Sequence, residues 1–106
     1  MQLLGLARRA GAVAPGTEAV RQAVRAGEAR VVLFAGDASP AQLGKIERTL
    51  KDRSIPTARV GDRETLGAAV GLAPLSAVAV TNASLAEQVV AELGDLLVHD
   101  SVAAEG

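Results

Sequence analysis

Few residues in this chain have the type and spacing to do chemistry. The clearest group is Gly16-Thr17-Glu18, which opens the helix-patterned stretch GTEAVRQAVRAG, with Arg21 and Arg25 one and two turns further on. The amino end of a helix carries N–H groups without partners and the positive end of the dipole, so it can receive a phosphate. Pro15, Gly16 and Thr17 are small enough for a sugar-phosphate backbone to come close. Every helix has such an end, so this feature alone identifies no ligand. Asp37 is the second candidate. It ends a buried run, where receiver domains accept phosphate, but those domains also need a late lysine and none follows Lys51. Asp37 therefore reads as a residue that orders a turn before a helix.

Other chemistries are poorly supplied. The turn GDASP has neither G-x-G-x-x-G nor a Walker lysine. With no cysteine, thiolate nucleophiles, thiolate metal sites and disulfides are excluded, and the lone His99, beside Asp100, makes no histidine cluster. The carboxylates are scattered and no nucleophile has an evident activating base. The expectation is a non-catalytic protein with no metal and no cofactor.

Composition and charge narrow the partners. At 106 residues the chain is one domain with a modest core, built almost wholly from Ala, Val and Leu. Such side chains suit helices lying close against a sheet. Phe34 is the one aromatic residue, too few for a single-strand platform that stacks bases. Net charge is −1, but all 11 Lys and Arg lie between Arg8 and Arg63, a stretch of net +5, and everything from Glu64 onward is acidic or neutral. That asymmetry permits a local positive field, and it also fits ordinary solvated helix faces. The amino end MQLLGLARRAG is apolar and then basic, the reverse of a signal peptide, and no run is long enough to span a bilayer. A cytoplasmic location is expected.

The elements that must position these residues follow from periodicity. The spacing predicts a first helix over 2–10 with Leu3, Leu6, Ala7 and Ala10 on one face, stopped by Gly11. Arg8 and Arg9, in its last turn, fit a dipole-capping role and a phosphate-contacting role equally. A minor strand is expected around Val13, then a second helix over 17–26 with Val20, Ala23 and Val24 inward. VVLFA, within 30–36, is a strand buried on both faces. Ser39-Pro40 caps a third helix over 40–53, with Leu43, Ile46 and Leu50 inward and Lys45, Arg48 and Lys51 outward. SIPTARV, 54–60, is a second strand with proline at its entrance. Asp62 caps a short helix over 63–70, the loop 71–76 follows, and 77–80 is a third buried strand. Asn82 or Ser84 starts a last helix ending near Leu93. Strands alternating with helices give an α/β sandwich of two or three layers over 1–94, and 95–106 form a tail that is partly docked or mobile.

The segments LLGLARRAG, PGTEAVRQAVRAGEARVVLFAGDASP, IPTARVGDRETLGAAVG and SAVAVTN, in this order, resemble the ribosomal-protein L-seven-Ae/L-thirty-e superfamily, most of all its bacterial YlxQ-like branch. The likeness runs from Met1 to about Leu93. It implies a single-domain α/β/α sandwich around a small mixed sheet. It also implies binding of structured RNA, commonly kink-turns. The implied contact surface joins the start of the second helix (Gly16, Thr17, Glu18, Arg21, Gln22 and, extending it, Arg25) to the loop Leu72, Ala73, Pro74 and Leu75. A third contact comes from Gly36 and Asp37. The family's kink-turn readers carry asparagine, glutamate and lysine where this chain has Glu18, Ala19 and Gln22, so a smaller salt dependence is expected here.

The reading is thus a non-catalytic RNA-binding protein of translation or ribosome assembly, with ribosomal RNA among its candidate partners. The alternative is a protein-interaction adaptor on the same fold, motivated by the acidic final third.

Overall fold

A run with no polar face has to lie where both faces are covered, and Val31-Val32-Leu33-Phe34 does. In the computed structural model, which describes residues 2–93 and 97–98, this run is strand β2 (Val31–Phe34) and all four residues are buried. Around it are α1 (Gln2–Arg9), β1 (Val13–Pro15), α2 (Thr17–Arg25), α3 (Pro40–Leu50), β3 (Thr57–Arg59), α4 (Arg63–Ala69), β4 (Ala77–Val80), α5 (Ala83–Leu93) and β5 (Leu97–Val98). The sheet order is β1-β4-β2-β3-β5. Only β2 and β3 run parallel; β4 is antiparallel to both β1 and β2, and β5 to β3. The sheet is therefore mixed, as the family likeness implies. Apart from Leu97–Val98, the tail with His99 lies outside the described residues.

The period-two alternation of strand side chains divides the core into two layers. Val31, Leu33, Val78 and Val80 pack under α1, α4 and α5 with Leu4, Ala7, Leu66 and Val89. Val32, Phe34, Ala77 and Ala79 face the other way, against Val20 and Val24 of α2 and Ile46 of α3. The methyl side chains of Ala77 and Ala79 let α2 lie close over β4. The result is a three-layer α/β/α sandwich.

Two expectations are corrected. The inward face of α1 is Leu4 and Ala7, with Leu3 only partly buried; Leu6 is 44 % exposed and Ala10 is exposed. Helical periodicity allowed either phase, and packing against α4 and α5 chooses between them. The Gly5 side of α1 backs onto the Ala69 carbonyl, where a Cβ would lie 3.4 Å from its oxygen. Arg8 donates from Nη1 to the Val70 carbonyl oxygen at 2.6 Å, so it caps the end of α4 rather than of its own helix. The second correction concerns lengths. The third helix ends at Leu50 and the second strand is only Thr57–Arg59. Arg53, expected to end the third helix, instead donates from Nη1 to the Val24 carbonyl oxygen at 2.7 Å and closes α2.

The cap residues act as their types require. Ser39 Oγ accepts from the Gln42 amide at 3.3 Å, and Asn82, not Ser84, starts the last helix, its Oδ1 accepting from Leu85 at 2.9 Å. Asp62 Oδ1 accepts from the Thr65 amide at 2.7 Å. That bond, with the Thr65 hydroxyl, lowers the Asp62 carboxyl below its ordinary value. A carboxyl lowered in the folded state contributes stability above its unfolded pKa, and this is lost as pH falls through the folded one. Asp62→Asn is therefore expected to shrink the loss of stability between about pH 6 and pH 3. Urea midpoints of both proteins at the two pH values measure this.

Candidate functional site

The topology brings four separated segments to one end of the sheet. Strands β1, β2 and β3 all finish there and β4 begins there. The Gly16 amide donates to the Ala77 carbonyl at 2.9 Å, the Ala35 amide to Ser76 at 2.9 Å, and the Gly36 amide to Gly61 at 2.8 Å. The Arg63 amide donates to Asp37 Oδ1 at 2.8 Å, and the Leu75 amide to the Arg63 carbonyl at 3.0 Å. These five bonds tie the start of α2, the turn after β2, the start of α4 and the loop 71–76 into one rim. The three implied contact regions thus form a single surface.

Gly16 turns the chain from β1 into α2 with φ 95° and ψ 161°, a conformation essentially restricted to glycine. As the N-cap residue it has no side chain to offer, and no side-chain hydrogen bond closes the first turn of α2. The first amides of α2 therefore remain open to an acceptor. The Leu75 side chain stands beside this opening, its Cδ2 3.8 Å from where a Gly16 Cβ would be.

The loop divides its duties. Leu75 is half-buried and packs on the core, whereas Leu72 is 38 % exposed and Ala73 and Pro74 are exposed. The loop is anchored to α4 by Leu72 N–H donating to the Gly67 carbonyl at 2.8 Å and Gly71 N–H donating to Ala68 at 3.0 Å. It crosses α4 at Gly67, which is buried. A Cβ there would overlap the Ala73 carbonyl oxygen and lie 2.7 Å from the Ala73 carbonyl carbon.

The charged residues behave differently from one another. Glu18 and Arg21 form a 2.9 Å ion pair, and Arg21 Nε also donates to Thr49 Oγ1 of α3 at 3.2 Å. The pair offsets the repulsion that Glu18 would otherwise present to a phosphate. Gln22 lies on the other flank of α2, in a shallow groove with Val13, Pro15, Ala19 and Thr81. Arg25 is exposed two turns from Gly16, away from the rim, and makes no ion pair among the described residues.

The Asp37 carboxylate reaches across the rim to the start of α4, a partner that sequence reasoning missed. Besides accepting from the Arg63 amide, its Oδ2 lies 3.5 Å from Arg63 Nε, each side chain about half exposed. This pair sets a guanidinium on the rim next to the loop. Asp37 and Arg63 are 26 positions apart, so no local pattern joins them. The available signal was the segment GDRETLG, which places Arg63 just after its helix cap.

The sequence model of the ribosomal protein L7Ae/L30e/S12e/Gadd45 family matches residues 1–90. The chain belongs to this family. Among relatives, the RNA-binding protein YlxQ of Bacillus subtilis (strain 168) is 33 % identical over 91 residues, covering 86 % of this chain and 91 % of YlxQ. A Bacillus halodurans protein of unknown function superposes with a TM-score of 0.81 at 31 % identity, over 88 % of this chain and 94 % of that one. The Giardia lamblia 15.5 kD RNA binding protein superposes with a TM-score of 0.74 over 90 % of this chain and 84 % of its own, and at 20 % identity that likeness concerns the fold. In this chain the open helix start and the loop 71–76 meet on one rim.

Proposed function

We propose that this protein binds structured RNA of the kink-turn kind at the sheet-end rim, without catalysis, as a cytoplasmic component of translation or ribosome assembly. The observation that carries the reading is the meeting of the uncapped α2 start with the exposed loop Leu72 to Pro74, in a chain related to a named RNA-binding protein. The open amides and the Thr17 hydroxyl supply donors to a phosphate. Glu18 accepts from a base amino group while its charge is offset by Arg21. Leu72 and Pro74 give an apolar seat for a base displaced from its stack, and Arg63 supplies the nearby cation. Ala19 and Gln22 bring neither acid nor charge to the site, so base-edge reading falls mainly to Glu18 and Gln22 hydrogen bonds.

Titration against a kink-turn RNA and a plain duplex of equal length, at several salt concentrations, tests this. The bent RNA is expected to bind at least about tenfold more tightly, about 1.4 kcal/mol. Equal and negligible affinity for both would sink the reading, and capture of protein partners that survives nuclease treatment would then favour an adaptor.

A further inference from the structure

Four basic residues lie on α2 and α3, the two helices that cover one face of the sheet. Arg21 and Arg25 lie four apart on α2 and share a flank. The Arg21–Thr49 bond shows that this flank faces α3. On α3, Lys45 is one turn from Thr49, whose hydroxyl donates to the Lys45 carbonyl at 3.0 Å. Arg48, three positions from Lys45, adjoins it on the outer side of α3, with its Nη1 3.4 Å from where a Gly44 Cβ would be. Glu47 is two positions from both Lys45 and Thr49, which turns it roughly 200° away around the helix, and about 100° from Arg48, with which it makes no ion pair among the described residues. Glu18, the acid of this flank, is already paired with Arg21. Arg25, Lys45 and Arg48 make no ion pair or hydrogen bond among the described residues.

We infer that the seam between α2 and α3 is a second contact surface, which takes the phosphate backbone of a double-helical RNA arm leaving the rim. The inference rests on the RNA reading above. The occupant follows from charge and from continuity: three cations without an acidic partner among the described residues, beside the Arg21–Glu18 pair, suit a polyanion, and α2 runs from the rim directly into this seam. A duplex fits better than a single strand, because Phe34, the chain's one aromatic residue, is buried and no ring is available for stacking. Placing the cations here also accounts for a binding protein that has Gln22 where its relatives' pattern expects lysine.

The test uses two RNAs with the same bend, one with the arm trimmed and one with it extended by a helical turn. For the wild-type protein, the log-affinity against log-salt slope is expected to steepen by about 2 to 3 with the long arm, since each duplex phosphate contact contributes about 0.9. Arg25→Gln/Arg48→Gln should lower that gain by about 1.8 and leave binding of the trimmed RNA unchanged. Arg25→Lys/Arg48→Lys, which keeps the charge, should retain the gain. Both side chains are exposed, and matching thermal melts show that the variants fold. A wild-type protein that binds the trimmed RNA and gains nothing from the long arm overturns this inference alone, as does a glutamine variant that keeps the full gain. No binding to either RNA overturns the RNA reading as well.

Discussion

Gly67→Ala is expected to destabilise the domain by about 2–3 kcal/mol, the upper part of the range for overpacking a core. For a chain of this size that lowers Tm by roughly 10 °C or more. The added Cβ would overlap the Ala73 carbonyl oxygen and press on the Leu72 carbonyl, 2.9 Å away. Neither atom belongs to a flexible side chain that could swing aside. Relief must come from lifting the loop 71–76 off α4, which would break the Leu72–Gly67 bond and shift Leu72 and Pro74 on the rim. The variant should therefore lose both stability and RNA affinity. Ala68→Gly, on the exposed side of the next position, should cost only about 1 kcal/mol through helix propensity and leave affinity unchanged. Thermal melts of both variants, beside RNA titrations, separate the two effects.

Leu72→Glu should show the opposite balance. Leu72 is already 38 % exposed, so removing it from the surface forfeits little packing, and Tm is expected to stay within about 3 °C of wild type. A carboxylate in the middle of the rim would repel phosphate and remove the apolar seat for a base. Affinity for the bent RNA should fall about 10- to 100-fold, corresponding to roughly 1.4–2.8 kcal/mol. Leu75→Ala serves as the contrast, because Leu75 packs on the core beside Gly16 and should lose stability as well. If Leu72→Glu binds as wild type does, the loop does not contact the RNA.

Much of the fold was legible because local chemistry and global architecture agree in this chain. VVLF is apolar at every position, so it had to be a strand covered on both faces. Ser39-Pro40 and Asp62 carry their helix starts in their own chemistry. The phase of α1 was not legible, because Leu3, Leu4, Leu6 and Ala7 fill enough of the helix for either face to look buried. The choice depends on α4 and α5, sixty or more residues later, through Gly5 against Ala69, Arg8 against Val70, and Leu4 and Ala7 in one cluster with Ala86 and Val89. The rim was legible in part. Gly16 and the loop were visible as sequence features, but their meeting depends on β4 entering between β1 and β2. The separation of engaged from free arginines was hidden, since Arg8, Arg21, Arg53 and Arg63 find their partners through tertiary contacts. Those contacts leave Arg25 and Arg48 as free charges.

The central place of β4 has a further consequence. This strand is translated after β1, β2 and β3, yet both β1 and β2 depend on it as a sheet neighbour. Until residue 80 has left the ribosome, β1 has no strand to pair with, and the Gly16 amide lacks the Ala77 carbonyl that fixes the turn into α2. A growing chain would therefore carry α2 and its arginines without an assembled rim. Insertion of β4 joins contacts widely separated in sequence in one step, which makes it a slow event in folding. The rim would then assemble late in synthesis, when the nascent domain closes.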